Sequence, residues 1–117
     1  ALLRALLPRL IGFGRSQRFT PDVLLAEGAS LERYGLQAQV IGIPGHSQGS
    51  IGILTAEGDF LCGDLYESIK QPGLNSLIDD RPAALASDTR VRNLGIRRVY
   101  PGHGDPFSPD SLAGTAI

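Results

Sequence analysis

The chain contains only two histidines, and both stand in the same local setting, Pro44-Gly45-His46-Ser47 and Pro101-Gly102-His103-Gly104. Between them "CGDLY" places Asp64 after Gly63, at the end of another apolar run. A glycine ahead of such a residue lets the backbone take conformations closed to other residues, so the side chain can project from a strand end into a shared cleft. Two imidazoles and one carboxylate at three strand ends form a suitable N/O ligand set for Zn²⁺ or a similar ion. Taken singly, a Gly-His in a turn is more often surface than ligand, and Gly-Asp is a common turn or helix cap. Three such strand ends in one short chain favour the ligand reading.

The stretch Gly45-His46-Ser47-Gln48-Gly49 also fits G-x-S-x-G, the nucleophile elbow of serine hydrolases, with Ser47 as the reactive group. An elbow needs a helix after the turn to support the strained serine and to present a backbone N–H to the oxyanion. Gly49 instead leads into "SIGILTAEGDFL", alternating, rich in isoleucine and closed by Glu57-Gly58, which reads as a hairpin. The order Ser47, an Asp, then His103 matches such a triad, but the α/β sheet it requires is far larger than this chain can supply. The expectation is a structural Ser47 whose hydroxyl serves the turn.

The elements that must position these residues are short. Leu2 to Ile11 reads as a helix interrupted by Pro8, and "GFGRSQRFTP" as loop. "DVLLAEG", "SLERYG" and "QAQVIGI" read as a meander of short antiparallel strands. Ile51 to Asp64 is the hairpin, and Lys70 to Leu77 is loop. "DDRPAALASDTRVRNLG" reads as a helix, capped by Asp79 or Asp80, with Pro82 in its first turn and Gly95 at its end. "IRRVY" is a strand, and "SPDSLAG" a last helical turn with Ser108 and Pro109 at its start. Strands followed by a covering helix predict an α+β fold in one domain.

Hydrophobic content of 42% and charged content of 20% suit a globular chain. With a net charge of −1 and scattered arginines, nothing points to nucleic acid or to a membrane surface. The opening "ALLRALLPRLIG" is too short and too interrupted to span a bilayer. The single Cys62 suits a small buried hydrophobe and a reducing, cytoplasmic compartment. No methionine occurs, even at position 1, which predicts that a stretch ahead of Ala1 is missing.

Residues 21 to 107, from "PDVLLAEG" through "VIGIPGHSQGSIGIL" and "CGDLY" to "VYPGHGDPF", resemble the second half of the metallo-β-lactamase-fold hydrolases. Those proteins show a Thr-Pro-Gly-His-Thr-Pro-Gly-Ser type motif, then a Gly-Asp, then a late Gly-His. Here Ile43 and Gln48 replace the commoner Thr and Pro. The resemblance implies the C-terminal half of an αββα sandwich, with 1–20 as a helix-and-loop lead-in and 21–117 as the family-like part. It also implies that His46 binds one metal, Asp64 bridges two, and His103 binds the second. The implied chemistry is attack of metal-activated water on an ester-, thioester- or amide-like bond of a small-molecule substrate. Tyr66, two residues past Asp64, is expected in the core or at the rim.

The family's His-x-His-x-Asp-His string occurs nowhere in the chain. Two ligands per ion are fewer than the three that a catalytic zinc usually takes from protein. The resemblance therefore implies part of a metal-dependent, dizinc hydrolase, with one or two zinc ions in the whole protein, that binds zinc weakly or not at all and is inactive on its own. The alternative is a non-catalytic module acting in assembly, which would form a homodimer to cover its exposed sheet face.

Overall fold

The computed structural model describes residues 18–114. The helix expected at Leu2 to Ile11 lies outside them. Strands β1 (Ala38–Gly42), β2 (Ile51–Thr55) and β3 (Asp59–Gly63) form an antiparallel run. The Ala56-Glu57-Gly58 turn joins β2 to β3, closed by Gly58 N–H to the Thr55 carbonyl at 3.0 Å. Two-residue strands β4 (Tyr66–Glu67) and β5 (Gly73–Leu74) pair by themselves. Helix α1 (Arg81–Val91) follows, then β6 (Arg98–Pro101), and a 3-10 turn at Pro109–Ser111 ends the described chain. The main sheet has the order β1-β2-β3-β6.

Helix α1 starts where expected, with the Asp80 carboxylate accepting from Ala83 N–H at 3.0 Å and Pro82 in the first turn, where a missing N–H is harmless. Its buried face is Ala84, Ser87, Asp88 and Val91. The core gathers Ile41, Ile43, Phe60, Cys62, Leu65, Tyr66 and Val99 with Ala84, Val91, Phe107 and Leu112. Ile41, Phe60 and Val99 come from one face of the sheet, as the register and the alternation of strands require. Burial pushes the Cys62 thiol up to about 11, so it is a packed hydrophobe and not a reactive thiol.

Three expectations change. "DVLLAEG" forms no strand: Leu24 is 83% exposed, and only Gly28 to Leu31 run along the free edge of β1, joined to Val40 and Ala38 by backbone bonds. "SLERYG" turns into a 3-10 helix at Glu32–Tyr34, because Gly35 in the left-handed region reverses the chain before a strand can extend. The 70–77 segment is not all loop, since β5 lies within it. The main sheet is mostly antiparallel, as expected, with β6 joining β3 in parallel.

The opposite sheet face carries the cross-strand row Val40, Ile53, Leu61 and Tyr100. Val40 is buried, while Leu61 and Tyr100 are 48% and 37% exposed. Among the described residues, no helix is long and apolar enough to cross a membrane.

Candidate metal centre

Topology brings the three sequence-predicted residues to one edge. β1 and β3 both run antiparallel to β2, and β6 runs parallel to β3, so β1, β3 and β6 all point the same way. His46 follows the end of β1, Asp64 the end of β3, and His103 the end of β6. The glycines before the histidines are required by space. Gly45 has φ +152° and its Cα faces the backbone of Ala84 with no room for a Cβ. At Gly102 a Cβ would stand 2.6 Å from Asp64 Oδ1.

The Nε2 atom of His46 lies 3.5 Å from Asp64 Oδ2, and that of His103 lies 3.5 Å from Asp64 Oδ1. Oδ1 is buried and accepts no hydrogen bond, so the His103 approach is proximity rather than a formed bond. An orphaned buried carboxylate oxygen is costly unless something positive meets it. Two donor atoms on one tetrahedral zinc ion lie roughly 3.3 Å apart. The spacing on each side of Asp64 therefore suits a cation better than a direct bond.

The His46 ring is held from its other side. Nδ1 lies 2.5 Å from the Leu77 carbonyl. A carbonyl only accepts, so Nδ1 carries the proton and Nε2 presents its lone pair towards Asp64. A metal-ligating histidine is commonly oriented in this way by an outer acceptor. His46 and Asp64 are each one-third exposed, and His103 is 65% exposed, which leaves the edge open to solvent.

Among the described residues, no three or more His, Cys, Asp or Glu side chains close around a single point. His46 and His103 reach opposite oxygens of Asp64, so the arrangement is two half-sites sharing one carboxylate. The donor types, the orphaned oxygen and the spacings fit a metal ion as part of a ligand set, and the number of donors does not complete one.

Ser47 serves the turn, its hydroxyl bonding that of Ser50 at 2.9 Å, while Ser50 Oγ also accepts from Ser47 N–H. With β2 and no helix after it, the elbow is absent. Tyr66 is a core residue: fully buried, it donates to Asp88 Oδ1 at 2.6 Å and packs edge-on against Phe107. Burial, then the bond to Asp88, push its phenol well above the ordinary range. Sequence reasoning missed Leu77, whose carbonyl has no side-chain signature. It also missed Ser87, although a serine and an aspartate inside the apolar stripe of α1 were a readable signal.

No family model matches the chain. It is 32% identical over 116 aligned positions to a hydroxyacylglutathione hydrolase of Pseudomonas entomophila (strain L48), taking in 80% of this chain and 44% of that protein. The fold superposes on TTHA1623, solved in a di-iron-bound form, with TM-score 0.70 and 29% identity over 90% of this chain and 52% of that one. It also superposes on the metallo-β-lactamase family protein TTHA1429 from Thermus thermophilus, with TM-score 0.68 and 25% identity, over 92% of this chain and 40% of that one. The chain thus spans about half the length, or less, of the proteins it matches.

Proposed function

This chain belongs to the metallo-β-lactamase superfamily, and from that premise we propose that it carries the shared-carboxylate half of a dizinc hydrolase centre. His46 and Asp64 would hold one ion, and Asp64 and His103 the other. The observation that carries this reading is the orphaned Oδ1 of Asp64, with an imidazole nitrogen 3.5 Å from each carboxylate oxygen. When bound, such ions supply water of lowered pKa and positive charge for a developing oxyanion.

The chain's own residues perform the rest. Leu77 keeps the proton on Nδ1 of His46, so Nε2 stays available. Asp64 sets the separation of the two half-sites, and Gly102 leaves room for its carboxylate against the backbone. The likeness to a hydroxyacylglutathione hydrolase favours a thioester of a small thiol as substrate. With two ligands per ion and no His-x-His-x-Asp-His string, the chain alone is inactive. Its buried free cysteine accords with a cytoplasmic setting.

The test is zinc binding and hydrolysis of a hydroxyacylglutathione, measured on the chain alone and on a longer polypeptide that adds a His-x-His-x-Asp-His half. The longer form should bind about two zinc ions and turn over, and Asp64→Asn should weaken zinc binding and abolish turnover. Turnover that survives Asp64→Asn would contradict the assignment.

A second reading rests on the exposed Leu61 and Tyr100, with Ile51 at 39% beside them. Such a face suits a homodimer of a non-catalytic module. Sedimentation would then show a dimer that Leu61→Lys dissociates, whereas a monomer at all concentrations would exclude it.

A further inference from the structure

The backbone carbonyls of Gly42, Pro44 and Gly45, on the approach to His46, are all tied to the segment that carries α1. The Gly42 carbonyl accepts from Arg90 Nη1 at 3.1 Å, and the Gly45 carbonyl accepts from Asp79 and Asp80 N–H at 3.0 and 2.9 Å. Between them, the Pro44 carbonyl accepts from Ser87 Oγ at 2.7 Å. A serine inside a helix ordinarily turns its hydroxyl back to the carbonyl four residues earlier. Ser87 instead reaches across 43 positions of sequence, from a site only 4% exposed.

We infer that Ser87 is a positioning residue for the His46 imidazole, an inference that rests on the metal-centre reading proposed above. The Pro44 carbonyl belongs to the peptide plane that sets the φ of Gly45, and Gly45 sets the direction in which His46 leaves the turn. The N–H of that same peptide, on Gly45, donates to the Ser47 carbonyl at 3.1 Å within the turn, so the Ser87 hydroxyl is the bond that ties this peptide to α1. Without the serine hydroxyl the Pro44–Gly45 peptide keeps only its bond within the turn and loses its tie to α1, so its tilt against the helix can change. The ring then loses its register with both the Leu77 carbonyl on one side and Asp64 Oδ2 on the other. The Ser87 hydroxyl is engaged by Pro44 and not by the ring or Asp64, so its effect on the site is indirect.

The test compares Ser87→Ala, Ser87→Thr and the core control Leu112→Ala in the 117-residue chain, by zinc titration and by ¹⁵N NMR of the His46 ring. Ser87→Ala should weaken zinc binding by about tenfold or more and abolish the protonated Nδ1 tautomer. Ser87→Thr keeps the hydroxyl and should restore both. Leu112→Ala should lower stability with zinc affinity and tautomer unchanged. Wild-type affinity and tautomer in Ser87→Ala would overturn the inference. If the wild-type chain takes up no zinc, the metal reading is decided on the longer polypeptide instead, and the tautomer of His46 in Ser87→Ala still decides the role of Ser87.

Discussion

Gly45 rests on the first turns of α1 so closely that a Cβ placed on it would stand 2.6 Å from both Cα and Cβ of Ala84. Its φ of +152° is also one that other residues rarely adopt. Gly45→Ala therefore combines backbone strain with overpacking against a helix backbone that cannot retreat. The expected loss is about 3 kcal/mol of stability. Urea unfolding of the variant checks it, and a loss below about 1 kcal/mol would mean that the turn shifts freely.

Asp88 is fully buried, and it accepts from Tyr66 Oη and from Arg92 Nε at 3.0 and 3.1 Å. Arg92 also donates to the Ala113 carbonyl, so this one carboxylate joins β4, α1 and the C-terminal segment. Asp88→Ala strands a buried phenol and a partly buried guanidinium at once. It should cost about 3 kcal/mol, read as a lower urea midpoint. A change within about 0.5 kcal/mol would show that the network contributes nothing.

The hairpin, the α1 cap and both histidine turns were legible because each has a local cause: Gly58, the Asp80 side chain, and a glycine before each histidine. The three candidate ligands could likewise be named from their strand-end settings. Sequence could not show that β6 pairs with β3 in parallel, since that contact spans α1 and has no local signature. Nor could it show the strap at Gly28 to Leu31, because Val23 to Leu25 carry a strand-like composition but find no partner strand. The acceptors at Pro44 and Leu77 were invisible for a different reason: they are backbone carbonyls, which any residue supplies.

Glu27 accepts from Gly42 N–H and pairs with Arg90, which itself donates to the Gly42 carbonyl. The bond to Arg90 first, and then that to Gly42, hold its carboxyl below the usual glutamate value. A lowered folded-state pKa contributes stability that is present above the unfolded value of about 4.3 and is lost as pH falls through the folded one. The stability difference between wild type and Glu27→Gln should thus be level near neutrality and shrink to nothing on acidification. Both side chains are about half exposed, so added salt should also reduce it. A difference that grows towards low pH would contradict the assignment.

Asp64→Asn leaves the shape of the site intact and removes its charge. Since Oδ1 accepts no hydrogen bond, thermal stability without metal should stay within about 0.5 kcal/mol of wild type. Zinc affinity should fall by about 100-fold or more, because loss of an outer-shell partner alone reaches that range. Equal affinity in the two proteins would place any bound zinc elsewhere.

Anomalous diffraction at the zinc edge, from crystals of the chain soaked in zinc, reads the centre most directly. A peak should stand about 2.0–2.2 Å from a carboxylate oxygen of Asp64 and from Nε2 of His46 or His103. Zinc bound only at other positions, with the Asp64 carboxylate still unmet, would contradict the convergence of these three side chains on a cation.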